Sequence, residues 1–115
     1  MELQILIRKF YGLADAAHIN HVNTRSYPAH VALGEFYASV IEVKDKMIEY
    51  LMGQGKLASV KASVLEIKDD VVPEADVVAK AFCEYAESLK DEAMINLAGE
   101  FQESVGKLKY LLMLK

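Results

Sequence analysis

Two prolines, Pro28 and Pro73, are all that this chain of 115 residues contains. Both sit where a helix would begin, because proline is tolerated in a first turn, whose N–H groups have no intrahelical partner, and breaks a helix further in. Glycine is also sparse, with six residues. A chain with so few breakers forms long uninterrupted elements, whereas a β architecture needs frequent turns.

The apolar residues give those elements a helical period. Leu3, Leu6, Phe10, Leu13 and Ala17 recur at steps of three and four, which predicts an amphipathic helix over 2–22. Asn23, Thr24, Arg25 and Ser26 form a polar break before Pro28. Leu33, Tyr37, Val40, Ile41, Met47, Ile48 and Leu51 then carry a second helix to about residue 52, where Gly53 and Gly55 end it. The stretch 56–72 is less regular, and Leu57, Val60, Val64 and Ile67 suggest a short crossing helix. Pro73 opens a third helix, with Glu74 and Asp76 in a first turn that favours negative charge. Val78, Phe82, Tyr85 and Leu89 make its buried stripe.

Met94, Leu97, Phe101, Val105, Leu108 and Leu112 continue that stripe with a small phase shift and no glycine or proline between. A single helix of ~40 residues would reach ~60 Å, too long for a small domain. A break near 89–91 is therefore expected. The outcome is an all-α fold and a single domain over 1–115: a four-helix bundle with a long crossover between helices two and three, the ferritin-like arrangement.

Composition narrows the function. Hydrophobic residues make up 53% of the chain, enough for a packed core without staples. The formal net charge is −4, and the lysines are scattered among acids. Nucleic-acid binding needs a clustered positive surface to displace phosphate counterions, and none is present. No run approaches the ~18 apolar residues of a membrane span. The opening residues lack a signal peptide's layout, and the single cysteine, Cys83, rules out an internal disulfide. These features predict a soluble, cytoplasmic protein. Neither a Gly-x-Ser-x-Gly elbow nor a phosphate-binding glycine loop occurs.

All three histidines, His18, His21 and His30, fall between the end of helix one and the start of helix two. Asp45 and Glu49 lie four residues apart near the far end of helix two. Taken plainly, these are boundary and solvated residues. A metal site within one chain meets an obstacle: His30 and Asp45 are separated by about 22 Å of helical rise, against ligand bonds of ~2 Å. Two copies of helix two, antiparallel about an axis near Ala38–Ser39, would remove it by bringing His30 of one copy beside Asp45 and Glu49 of the other.

The stretch HINHVNTRSYPAHVALGEFYASVIEVKDKMIEYL resembles the metal-bearing segment of the Dps family, the miniferritins. That family has a His-Trp-Asn closing its first helix, a second His twelve residues on, an Asp fifteen beyond it and a Glu four further. His18-Ile19-Asn20, His30, Asp45 and Glu49 keep these intervals. The final DEAMINLAGEFQESVGKLKYLLMLK also looks like the family's closing helix. The resemblance implies iron bound between subunits of a two-fold dimer, within a hollow dodecamer, and oxidised there with peroxide as the usual oxidant before storage. His18 and His30 would be ligands from one subunit, Asp45 and Glu49 from its partner, with zinc as a competitor for the site. The family usually has a carboxylate four residues after the second His; here that residue is Gly34, with Glu35 one step, ~100°, around the helix. Glu35 and His21 are the additional candidate ligands, His21 alternatively bonding the backbone of the 23–26 loop. Cys83 reads as a packing residue, and Tyr27 and Tyr37 as core aromatics or as electron donors beside the histidines. Two other readings stand beside ferroxidase: a non-enzymatic helical oligomer with a degenerate site, and a divalent-metal module without redox chemistry.

Overall fold

The computed structural model describes residues 1–61 and 67–114. Four helices account for most of them: α1 (Leu3–Asn23), α2 (Tyr27–Gly53), α3 (Val71–Leu89) and α4 (Glu92–Met113). They pack as a four-helix bundle. α1 rests on α2 and α3, α4 rests on α2 and α3, and neither α1 with α4 nor α2 with α3 makes close backbone contact.

Local chemistry explains where the helices start. Ser26 caps α2, its hydroxyl accepting from the Ala29 amide at 3.3 Å, with Pro28 in the first turn. Asp91 caps α4, its carboxylate accepting from the Met94 amide at 3.2 Å. α3 begins two residues before Pro73, with Asp70 as its N-cap residue. The break between α3 and α4 falls at the expected place, although no glycine marks it. Lys90 adopts the left-handed conformation (φ 52°) and ends α3, and Asp91 starts the next helix. The crossing helix expected around 57–67 has its middle, 62–66, outside the described residues; 57–61 and 67–70 are not helical.

The core is organised around the chain's four phenylalanines, one from each helix. Phe10 meets Phe82 edge-on (5.4 Å, 87°) and Phe101 at 5.0 Å, and Phe101 also faces Phe36 at 6.2 Å. The stripe of α2 is turned slightly from expectation. Phe36 is buried, whereas Tyr37 and Ile41 are only half-buried and pack at the edge of the core. α3 relies on small residues, with Ala75, Ala79, Ala81 and Ala86 buried alongside Val78 and Phe82, while Tyr85 and Leu89 lie at the margin. No polar or charged residue is buried among the described residues. Polar links lie at the rim: Lys9–Glu74 between α1 and α3, Lys107–Glu35 between α4 and α2, and Lys109–Asp76 between α4 and α3.

None of the helices, among the described residues, is long and apolar enough to cross a membrane.

Candidate histidine cluster

The polar break at Thr24–Ser26 turns the chain back on itself, so the last turn of α1 faces the first turns of α2. This turn brings the three histidines together on the α1–α2 seam. The rings of His21 and His30 are stacked, with centroids 3.8 Å apart and planes 19° from parallel. His18, one turn earlier on α1, has its ring 6.0 Å from that of His21, tilted by 30°. Tyr27 stacks beyond His30 at 6.4 Å, and Tyr37 lies 4.9 Å from His18. A row of five rings therefore crosses the seam, its ends at Tyr27 and Tyr37.

The two inner histidines are bonded reciprocally. His21 Nδ1 lies 2.7 Å from the His30 carbonyl oxygen, and His30 Nδ1 lies 2.8 Å from the His21 carbonyl oxygen. A carbonyl oxygen only accepts, so each Nδ1 carries the proton and donates it. The His21 carbonyl belongs to the last turn of α1 and lacks an intrahelical donor; His30 supplies one. In a neutral imidazole whose Nδ1 carries the proton, Nε2 holds the lone pair. No buried side-chain nitrogen or oxygen lacks a hydrogen-bond partner among the described residues. The Nε2 atoms, for which no bond is formed there, therefore reach solvent.

Gly34 makes this arrangement fit. One helical turn beyond His30, it faces the His21 ring so closely that a Cβ at 34 would lie 2.9 Å from His21 Cε1 and 3.1 Å from its Nδ1. The position at which the sequence departs from the miniferritin pattern is thus the notch in which His21 sits. The expectation that His21 bonds the 23–26 loop is replaced by a bond to the first turn of α2.

The carboxylates are placed elsewhere. Asp45 and Glu49 are exposed on the outer stripe of α2 formed by Val31, Glu35, Ala38, Glu42, Asp45 and Glu49. Asp45 faces solvent rather than bordering the core. Both lie at the opposite end of α2 from His30, about 22 Å along the helix, so one chain does not gather them with the histidines. Glu35 is exposed and paired with Lys107 at 3.4 Å. Among the described residues no three His, Cys, Asp or Glu side chains are grouped so as to hold a metal ion. Within one chain, the described histidines and these carboxylates therefore do not form a single donor set.

Cys83 is half-buried in the α3–α4 seam, its Sγ 4.0 Å from the Ala98 carbonyl oxygen. Burial first, and then the nearby Glu87 and Glu84 carboxylates, push its thiol up, which keeps it protonated and a poor nucleophile. The other polar focus is at the α2–α4 contact, where the Tyr50 hydroxyl donates to Asp91 at 2.8 Å. That bond, together with the Met94 amide, holds the Asp91 carboxyl below the usual carboxylate range, and it raises the Tyr50 phenol.

The residues from 21 to 112 match the model of a family described as a family of unknown function (DUF5856), and the chain belongs to that family. His21, His30 and Gly34 all lie within the matched span. No curated protein and no solved structure matches the chain.

Proposed function

We propose that this chain is a small ferritin-like protein of the Dps type that binds ferrous iron between two copies of itself and oxidises it. The observation that carries the reading is the histidine cluster. Imidazoles that ligate a metal commonly donate their other ring N–H to a backbone carbonyl or carboxylate, which fixes tautomer and orientation. His21 and His30 are held in that way before any ligand arrives.

The bundle supports the ferritin-like topology. The Gln4 side chain bonds Ser59 and Lys61 at one end of α1, and Asn20 donates to the Asp69 carbonyl near the other end. Sixteen residues of helix, about 24 Å, separate those two anchors, the span of a long crossover between α2 and α3. The contact pattern, with α1 flanked by α2 and α3, fits the same topology.

The second copy enters through the outer stripe of α2, whose middle is the small residue Ala38. Antiparallel pairing about that point sets the histidine end of each chain against Asp45 and Glu49 of the other, forming two equivalent sites. Carboxylates stabilise the higher charge of Fe(III), and imidazole holds either state. Two Fe(II) ions give one electron each to one hydrogen peroxide, which takes up two protons and leaves as two waters. Zinc competes for the same donors, a dodecameric shell would need contacts beyond this pair, and a cytoplasmic setting suits the single thiol.

The test is Fe(II) oxidation after peroxide addition, followed by ferric absorbance, in wild type and in Asp45→Ala and His18→Ala. Oxidation well above the buffer rate that is lost in both variants supports the site. A buffer-level rate in a folded oligomer overturns it in favour of a second reading, a non-enzymatic helical assembly. That reading is favoured by the reciprocal His21–His30 bonds, which clasp α1 to α2 without any metal.

A further inference from the structure

Three imidazoles stand at the seam, and their geometry separates a ligand pair from a support. A metal–nitrogen bond is about 2.0–2.1 Å, which places each imidazole centroid about 3.2 Å from a bound ion. Two rings sharing one ion then have centroids about 4.5 Å apart at a 90° ligand angle and about 5–6 Å apart at wider angles. The His21–His30 separation of 3.8 Å is too short for this. Their planes are also nearly parallel and stacked, and lone pairs confined to two such planes do not meet on one ion. His18 and His21, at 6.0 Å and tilted by 30°, fall within the range and lie one turn apart on the same helix.

We infer that His18 and His21, through their Nε2 atoms, are the imidazole pair that holds a divalent ion, and that His30 and Gly34 are the seat that positions His21. This rests on the metal-binding reading above and changes its ligand set. His30, which the family spacing makes a ligand, is here a positioning residue: it supplies the carbonyl oxygen that accepts the hydrogen bond from His21 Nδ1–H and the ring face against which His21 lies. Gly34 leaves the room that His21 occupies. A two-imidazole pair suits borderline ions, and Zn(II) stands above Fe(II) in the usual order of affinity for nitrogen donors. Zn(II) is therefore the probe.

The experiment uses the full chain with 15N-labelled histidine, first without metal and then titrated with Zn(II), each imidazole nitrogen being followed by long-range 1H–15N correlation. Without metal, His21 and His30 are expected as Nδ1–H tautomers. With Zn(II), the Nε2 signals of His18 and His21 shift while those of His30 stay. Zn(II) affinity falls at least tenfold in His18→Ala and stays within a few-fold in His30→Phe, which keeps a ring in the stack but no nitrogen. Movement of His18 and His30 with His21 unchanged overturns the assignment and leaves the metal-binding reading standing. No histidine shift up to millimolar Zn(II) overturns both.

Discussion

Replacing Gly34 with alanine sets two opposed effects against each other, and the structure decides the sign. Alanine in place of glycine inside a helix is ordinarily stabilising by about 1 kcal/mol. At position 34 the new methyl group would lie 2.9 Å from His21 Cε1 and 3.1 Å from Nδ1, so the ring must move. His21 is not a loose side chain. Moving it weakens the two reciprocal Nδ1–H···O=C bonds, worth about 0.5–1.5 kcal/mol each, and the stack with His30, worth about 0.5–1.5 kcal/mol. Partial loss of these terms exceeds the helix gain, and a net destabilisation of about 1–2 kcal/mol is expected. The check is urea unfolding of four proteins: wild type, Gly34→Ala, His21→Ala and the double variant. In the His21→Ala background the notch is vacant, and Gly34→Ala should become stabilising by about 1 kcal/mol, a coupling of about 2–3 kcal/mol. Gly106→Ala on α4, where a Cβ meets nothing within 4 Å, is the control and should stabilise by about 0.5–1 kcal/mol. If Gly34→Ala stabilises the wild type as much as Gly106→Ala does, with unchanged m-values, the notch is not what holds His21.

Phe101 touches both Phe10 and Phe36, so Phe101→Ala should destabilise by about 3–5 kcal/mol in the same unfolding assay. Lys90 carries the left-handed conformation between α3 and α4, and Lys90→Gly should raise stability by about 0.5–1 kcal/mol. The Tyr50–Asp91 bond predicts a pH window. Because the Asp91 carboxyl is lowered in the fold, its contribution is present above the ordinary carboxylate range and lost as pH falls through the lower, folded value. Because the Tyr50 phenol is raised, its contribution is present below the ordinary phenol range and lost as pH rises through the higher, folded value. The stability difference between wild type and Tyr50→Phe should therefore be flat from about pH 5 to 9 and shrink at both ends; a difference that grows toward acid would contradict the assignment.

Much of the fold follows from features local enough to read in a linear chain. Helix starts at Ser26 and Asp91 depend on a cap residue and the amide three positions on, and both residues are visible as letters. The α3–α4 break carries no such letter, since Lys90 takes a conformation that glycine usually marks; the length a small domain allows, not residue chemistry, places it. The rotation of α2 that buries Phe36 in place of Tyr37 was not readable, because both residues fit an apolar stripe within one helical step. What distinguishes them is Phe101 on α4, a partner sixty-five positions away in sequence.

The histidine cluster shows where spacing stops being informative. Intervals of twelve, fifteen and four residues place His18, His30, Asp45 and Glu49 on known faces, but an interval says nothing about which ring lies between which. By spacing, His21, sharing the flank of His18, suits either a structural or a ligand role, and Gly34 reads as a ligand lost. The two observations have one cause: a glycine in mid-helix, one turn after a histidine, carries a helix penalty of about 1 kcal/mol that something must offset, and the spare histidine across the seam fills the space it leaves. A glycine one helical turn after His30 is visible in the sequence, but the ring that fills its notch is identified only by the packing of α1 on α2.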